Sequence, residues 1–374
     1  MNTDFFKEML QIDSTSGRER EFADFLAERM AGAARRVQTF EVDTMSADCP
    51  QGCAVPVNLL VTWGEPKIYF CTHLDTVPPY IAPQEADSGA VMTGRGTCDA
   101  KGQIFAMWEA CLELERRGYT DFALLLLAGE ETGSFGAKVF SESMSGKISE
   151  DAVVIVGEPT DNHMTTASKG TKSFELSFTG EAFHSGYPQY GRSAVEMFGD
   201  FLNALRSIVF PVDELLGDTT WNIGKLVSDN PQNILSDSLN CRLYFRTTFE
   251  SDEMVCNIMK NISGPEAKLR FGRRRVQDGS DIVAKDVAQW QKYMSVKAFG
   301  GDSPTRFTVF EGFPSKPVAF GSDAPQLKCF SNKILCGPGS ILVAHRDNEH
   351  INMADIETAV SNYVRMYRTL IKEN

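Results

Sequence analysis

The strongest constraint on this chain is a set of short apolar runs that stop abruptly at histidines and carboxylates. "NLLVTW", "KIYFCTH", "FALLLLAGE", "AVVIVGE" and "SILVAH" are of strand length, rich in β-branched residues or Leu, and bounded by turn residues. Helical patterns lie between them, notably from Ala100 to Arg117 and from Gly136 to Ser143. Near-continuous apolar strands alternating with helices are buried on both faces, so the pattern predicts a mostly parallel sheet in an α/β domain. The first residues read as an amphipathic helix, a turn at Ser14–Gly17 and a second helix.

Between about Lys169 and Val283 the texture changes. "TKSFELSFTG" alternates Phe174, Leu176 and Phe178, as a half-exposed strand does. A helix from Ser193 to Ile208 follows, with Val195, Phe198, Leu202 and Leu205 on one face. "TWNIGKLV", "LNCRLYFRTTF", the helix "SDEMVCNIMKNI" and a last strand "AKLRFGRRR" complete a β-α-β-β-α-β order, the ferredoxin-like motif. The expected architecture is therefore a discontinuous α/β domain, 1–168 and 284–374, interrupted by an α+β insert, 169–283.

Ligands of open α/β sheets gather at the carboxyl ends of the strands. There this sequence puts His73 and Asp75, then Glu130 and Glu131, Glu158, and His345, with Asp99 in the Gly-rich turn "GRGTCDAKG" before a helix. Taken singly, each has a bland reading. A Glu-Glu pair after a strand is most often a solvated loop, and a His-x-Asp is usually structural. Together they bring two imidazoles and several carboxylates to one edge, where the acids repel one another unless a cation offsets them. His73, Asp99, Glu131, Glu158 and His345 match the ligand count of a dinuclear zinc site. Glu130 is left over beside a ligand, where a hydrolase needs a general base. Asp75 has the spacing to orient the His73 ring. His163 reads as a surface residue. "GRGTCD" is a weak echo of a nucleotide-binding loop, and Asp99 would repel a pyrophosphate.

The formal charge of −13 argues against nucleic acid or an anionic membrane as partner. No apolar run approaches a membrane span, and the start has no secretory signal. Nine cysteines, an odd number, suggest reduced thiols and a cytoplasmic home. Cys49 and Cys53 have no second pair at zinc-site spacing.

The stretches "STSGRERE", "THLDTVP", "GRGTCDAKG", "AGEETGS", "VGEPT", "FHSGYP", "GSDAP" and "GPGSILVAHRDNEH" resemble, in order and over nearly the whole chain, the co-catalytic zinc metallopeptidases. That family includes acetylornithine deacetylase, succinyl-diaminopimelate desuccinylase, aminoacylase and carboxypeptidase G. The resemblance implies two zinc ions, with cobalt as a substitute, bridged by Asp99. His73 and Glu158 would complete one site, Glu131 and His345 the other, with Glu130 as general acid and base. It also implies that the ferredoxin-like insert is a lid that dimerises, that His184 in "TGEAFHSGYPQYGRSA" reaches the partner subunit's site, and that Asn233 and Arg246 contact substrate. Where the family commonly has an acidic residue, this chain has Cys241 or Arg242.

The expected activity is zinc-dependent hydrolysis of the amide of a small N-acyl amino acid, similar to the deacetylase and desuccinylase branch. A dipeptidase or carboxypeptidase of the same family is the first alternative. A non-catalytic binding protein on a hydrolase scaffold is the second, and it would have no need of Glu130. Of the two late histidines, His345 follows the run Ile341–Ala344 and so is expected at a strand end. His350 precedes a helix that Asn352 can cap and needs no metal to explain it.

Overall fold

The computed structural model describes residues 1–43, 54–262 and 291–372. The chain forms two units, one of Met1–Ala167, Arg306–Val318 and Ser322–Asn374, the other of Ser168–Thr305 and Ala319–Gly321. Cys49, Cys53, Val283 and the expected strand "AKLRFGRRR" lie outside the described residues.

The first unit is built on a six-stranded sheet in the order Arg36–Glu41, Val57–Trp63, Phe122–Leu127, Ile68–His73, Val153–Val156, Asn332–Leu335. Every residue of the four central strands is buried, as their unbroken apolar runs require. The last four strands of that order run parallel. Val57–Trp63 pairs antiparallel with both of its neighbours. The reason is the link that follows it: residues 64–67 turn the chain round, whereas a parallel return needs a crossover of about a dozen residues.

The run "SILVAH" is not a strand. Residues 341–345 form a turn in which Leu342 is 75% exposed, and the parallel edge strand is Asn332–Leu335. Only Ile334 and Leu335 of that strand are buried, too short an apolar signal to announce it.

Helix Lys101–Arg116 lies inside this unit, packed against both the sheet and helix Met353–Lys372. Its Phe105 stacks on Phe6 of helix Thr3–Gln11 at 4.8 Å. Replacing such a buried ring by Ala costs about 3–5 kcal/mol. Asn2 caps the N-terminal helix at the Phe5 N–H, 3.2 Å away. At its other end Lys101 Nζ donates to Met9 O at 3.0 Å and to Ile12 O, and sits over the Phe22 ring. Burial pulls that ammonium down to about 7.

The second unit has four antiparallel strands in the order Thr220–Val227, Ser238–Thr247, Gly170–Thr179, Met294–Gly300. With helices Ala194–Ser207 and Asp252–Asn261 this is the ferredoxin-like order. Phe174, Leu176 and Phe178 point into its core beside Phe201, Leu243 and Phe245. The buried stripe of helix Ala194–Ser207 is Ala194, Met197, Phe198, Phe201, Ala204 and Leu205; Val195, expected on that face, is 44% exposed. The closing strand is Met294–Gly300, so the unit continues to Thr305, well beyond the boundary read from the sequence. Among the described residues no helix is long and apolar enough to cross a membrane.

Candidate metal centre

Strand geometry explains how the first unit assembles its polar cluster. His73 is the last residue of Ile68–His73, and Leu74 N–H donates to Leu127 O at 2.7 Å, which aligns the ends of the two central strands. After Leu127 the chain makes a tight turn. Gly129 has φ +70°, a conformation open to glycine with little strain. Phe135 N–H closes on Gly129 O and Gly136 N–H on Ala128 O. Buried Asn58 clamps this turn, accepting from Ala128 N–H at 3.0 Å and donating to Gly136 O at 2.9 Å. Glu130 and Glu131 project from it. Glu158 follows Val153–Val156, and Asp99 lies in the turn before helix Lys101–Arg116.

Three groups of ligand atoms lie within 4.8 Å of one another: His73, Asp99 and Glu158; Asp99, Glu131 and His345; His73, Glu130 and Glu131. Asp99 belongs to the first two, and its oxygens face different histidines. Oδ1 is 3.0 Å from His73 Nε2, and Oδ2 is 3.4 Å from His345 Nε2. His345 Nε2 is also 2.9 Å from Glu131 Oε1. His73, Asp99 and Glu158 are buried, whereas the His345 side chain is 50% exposed. His345 is presented by a turn, at φ +61°, and not by a strand end.

The charges in this cluster do not balance on their own. Burial pushes the Glu130 and Glu158 carboxyls well above their ordinary range, and neighbouring carboxylates push the same way. Burial would raise Asp99 too, but its contacts with His345 and His73 hold it well below the usual range. The Asp99 and Glu131 contacts lift His345 to about 10. For His73, burial opposes the charged ring, yet its Asp75 and Asp99 partners outweigh it and raise the pKa. The donor set of imidazole nitrogens and carboxylate oxygens, with one carboxylate facing both groups, fits a pair of zinc-class ions. His73, Asp99 and Glu158 could hold one ion, and Asp99, Glu131 and His345 the other.

Asp75 does more than its spacing suggested. Its backbone O, not its carboxylate, makes the short contact with His73 Nδ1, at 2.9 Å against 3.5 Å for Oδ1. The carboxylate instead accepts from the backbone N–H groups of Glu130 and Glu131, at 3.0 and 3.2 Å, and from Ser16 Oγ at 2.8 Å. It therefore holds the turn that carries both glutamates. Ser16 reaches it because residues 14–16 lie alongside Thr76, with Ser16 N–H on Thr76 O and Thr76 N–H on Ser14 O, both 3.0 Å.

Sequence reasoning missed several members of this region. Glu19 is buried, and burial together with the Asp75 charge lifts it to about 7. Asp323, in the quoted "GSDAP", is buried, and its charge adds to the upward push on Glu130 and Glu158. Arg95 and Glu349 form a buried ion pair behind Asp99. The only available signal for these was their presence inside the quoted motifs.

His163 and His350 belong to none of the three groups; each Nδ1 contacts a nearby backbone carbonyl, Asp161 O and Asn348 O. His184, Asn233 and Arg246 lie in the second unit. There the His184 and Asn233 segments adjoin, with Ser185 N–H donating to Asn233 O at 2.9 Å and His184 bridged to Ile234. His184 and Asn233 are exposed. Arg246 stands near the end of Ser238–Thr247 with its guanidinium 5.0 Å from the Tyr244 ring.

A model of peptidase family M20/M25/M40 matches residues 69–369. A probable carboxypeptidase from Aspergillus terreus is 32% identical, over 97% of this chain and 84% of that protein. Among solved structures, a tripeptidase from Staphylococcus aureus is similar with a TM-score of 0.76 at 19% identity, covering 99% of this chain and 98% of the other. An M20 family metallo-carboxypeptidase from Sulfolobus solfataricus has a TM-score of 0.69 at 16% identity, covering 97% of each chain.

Proposed function

The chain belongs to peptidase family M20/M25/M40, a family of metallopeptidases, and from that premise we propose that it hydrolyses an amide whose nitrogen belongs to an amino acid with a free carboxylate. A carboxypeptidase or dipeptidase substrate and an N-acyl amino acid share that chemistry. The names of the relatives favour the peptide, with the N-acyl amino acid as second reading. The observation that carries the proposal is Asp99 shared between two ligand groups, with Glu130 directly beside them.

A bound metal pair would lower the pKa of water and polarise the scissile carbonyl, and zinc, with cobalt as substitute, suits these donors. Within that field Glu130 takes the proton of the attacking water and later delivers it to the leaving nitrogen. Burial raises its pKa above the ordinary carboxyl range, the direction that favours a group that must return the proton it accepts. The products are a carboxylate and a free amino group. Asp75 keeps Glu130 and Glu131 on one rigid turn. In this reading His184 stabilises the developing oxyanion, and Asn233 and Arg246 bind the substrate, Arg246 at its carboxylate.

The same reading includes a homodimer through the second unit, with His184 serving the partner's site. The outer strand Thr220–Val227 supports it, since Leu226 and Val227 are 53% and 58% exposed on an open sheet edge. A cytoplasmic location fits the free thiols of the described cysteines.

The test is a screen of dipeptides, longer peptides and N-acetyl, N-succinyl and N-formyl amino acids with metal-free, zinc-loaded and cobalt-loaded protein. Hydrolysis is expected only with metal, at about two ions per chain. Full turnover by metal-free protein would end the mechanism, and zinc uptake without hydrolysis of any substrate would favour a binding protein. Mixing inactive His184→Ala and Glu130→Gln proteins should restore activity once subunits exchange; proven exchange without recovery would remove the dimer role.

A further inference from the structure

Behind Asp99 lies a fully buried carboxylate, Glu349. Its Oε1 accepts two backbone N–H groups, those of Cys98 and Asp99, each at 3.1 Å. Its Oε2 accepts from Arg95 Nη1 at 2.6 Å, and Arg95 is itself 2% exposed. The same Nη1 donates to Arg346 O at 3.2 Å, and Arg95 Nε donates to Pro79 O at 3.3 Å. Backbone links run alongside: Gly94 N–H to Glu349 O at 3.0 Å and Glu349 N–H to Arg346 O at 3.2 Å.

These bonds join two loops, which Gln103 Nε2 also links by donating to Cys98 O and Pro338 O at 2.9 and 2.8 Å. One carries Asp99, the residue common to both ligand groups. The other carries His345, which lies beside Arg346 in an exposed turn at positive φ and has little packing of its own to hold it. A buried ion pair is weak evidence for stability, because desolvation offsets much of its attraction. What this pair does supply is direction. Two amide bonds to one oxygen fix the peptide plane from which the Asp99 side chain leaves, and the arginine ties that plane to the neighbour of His345.

We propose that Glu349, held by Arg95, is a positioning residue that sets the spacing of Asp99 and His345 and thereby the affinity of both metal subsites. The inference rests on the metal-centre reading above. Partners behind metal ligands typically change metal affinity about 10–100-fold when altered.

The experiment measures zinc affinity of the metal-free full chain by competition with a chromogenic chelator, alongside the melting temperature. Glu349→Gln keeps the size of the side chain but must turn an NH2 group toward either Arg95 or the two amides. It is expected to weaken both ions about 10–100-fold. Glu349→Asp keeps the charge but withdraws the carboxylate from the amides, and the same direction is expected; it serves if the Gln variant does not fold. Leu114→Ala, a buried core change in helix Lys101–Arg116, is the control for lost stability alone. It should lower the melting temperature and leave zinc affinity within about twofold. Wild-type affinity in a folded, destabilised Glu349 variant overturns the proposal and leaves a structural ion pair. Wild-type protein that binds no zinc removes the metal centre itself and this inference with it, so the two failures are distinct.

Discussion

Replacing Asp75 with Asn tests the turn that carries Glu130 and Glu131, and its cost can be worked from the geometry. The carboxylate is fully buried and has three donors: the Glu130 N–H on Oδ1, the Glu131 N–H and the Ser16 hydroxyl on Oδ2. An asparagine presents one oxygen and one NH2 group. The Ser16 hydroxyl can rotate and accept from that NH2, but one backbone N–H must then face another donor. An unsatisfied buried N–H costs about 1–3 kcal/mol, and each remaining bond loses about 1 kcal/mol of charge assistance. Relief from burying a charge offsets part of this, so the expected loss is about 2–4 kcal/mol. Ser16→Ala removes a single bond and should cost about 1 kcal/mol. Urea unfolding of the metal-free variants, followed by fluorescence of buried Trp63 and Trp108, reads the stability. Turnover should fall about 100-fold in Asp75→Asn, the loss expected when a reacting group shifts by about 1 Å. An Asp75→Asn protein within 0.5 kcal/mol of wild type and at full turnover would refute this account. So would a Ser16→Ala variant that costs as much, since the two amides would then not be the main partners.

Two further expectations separate neighbouring residues. Glu130→Gln should bind its full complement of zinc but lose most turnover, because an amide cannot accept the proton, whereas Glu131→Gln should lose one ion; metal analysis beside kinetics decides, and the reverse pattern would exchange their roles. His345→Ala should lose one ion and nearly all activity while His350→Ala keeps both ions, and zinc loss confined to the His350 variant would show that the wrong imidazole was assigned.

The residues that sequence reasoning brought together are those whose position follows from one-dimensional pattern. An apolar run of strand length must end somewhere, and a polar residue at that end is at the sheet's edge whatever the partners are; His73, Glu130, Glu131 and Glu158 were legible for this reason. The antiparallel direction of Val57–Trp63 was not read from the sequence, although the short link at residues 64–67 excludes a parallel crossover. His345 is a different case. It stands near Asp99 and Glu131, yet the strand expected to deliver it is a turn, so the placement came from the motif and not from the physics offered for it.

Glu349 and Arg95 stood inside the quoted motifs, but their pairing could not be read. Charged residues are normally solvated, and nothing in a linear pattern says that two of them, 254 residues apart, will meet in the interior. Burial of a charge is a property of its partners, and partners at that separation appear only once the fold has closed. The consequence for this site is specific. Pattern brings the candidate ligands to one edge, whereas in the proposal made above their spacing is set by charged groups behind them whose burial has no local signature. Substitutions at Asp75 and Glu349 therefore probe what the sequence could not supply. They should alter geometry while every residue expected to face the metals stays in place.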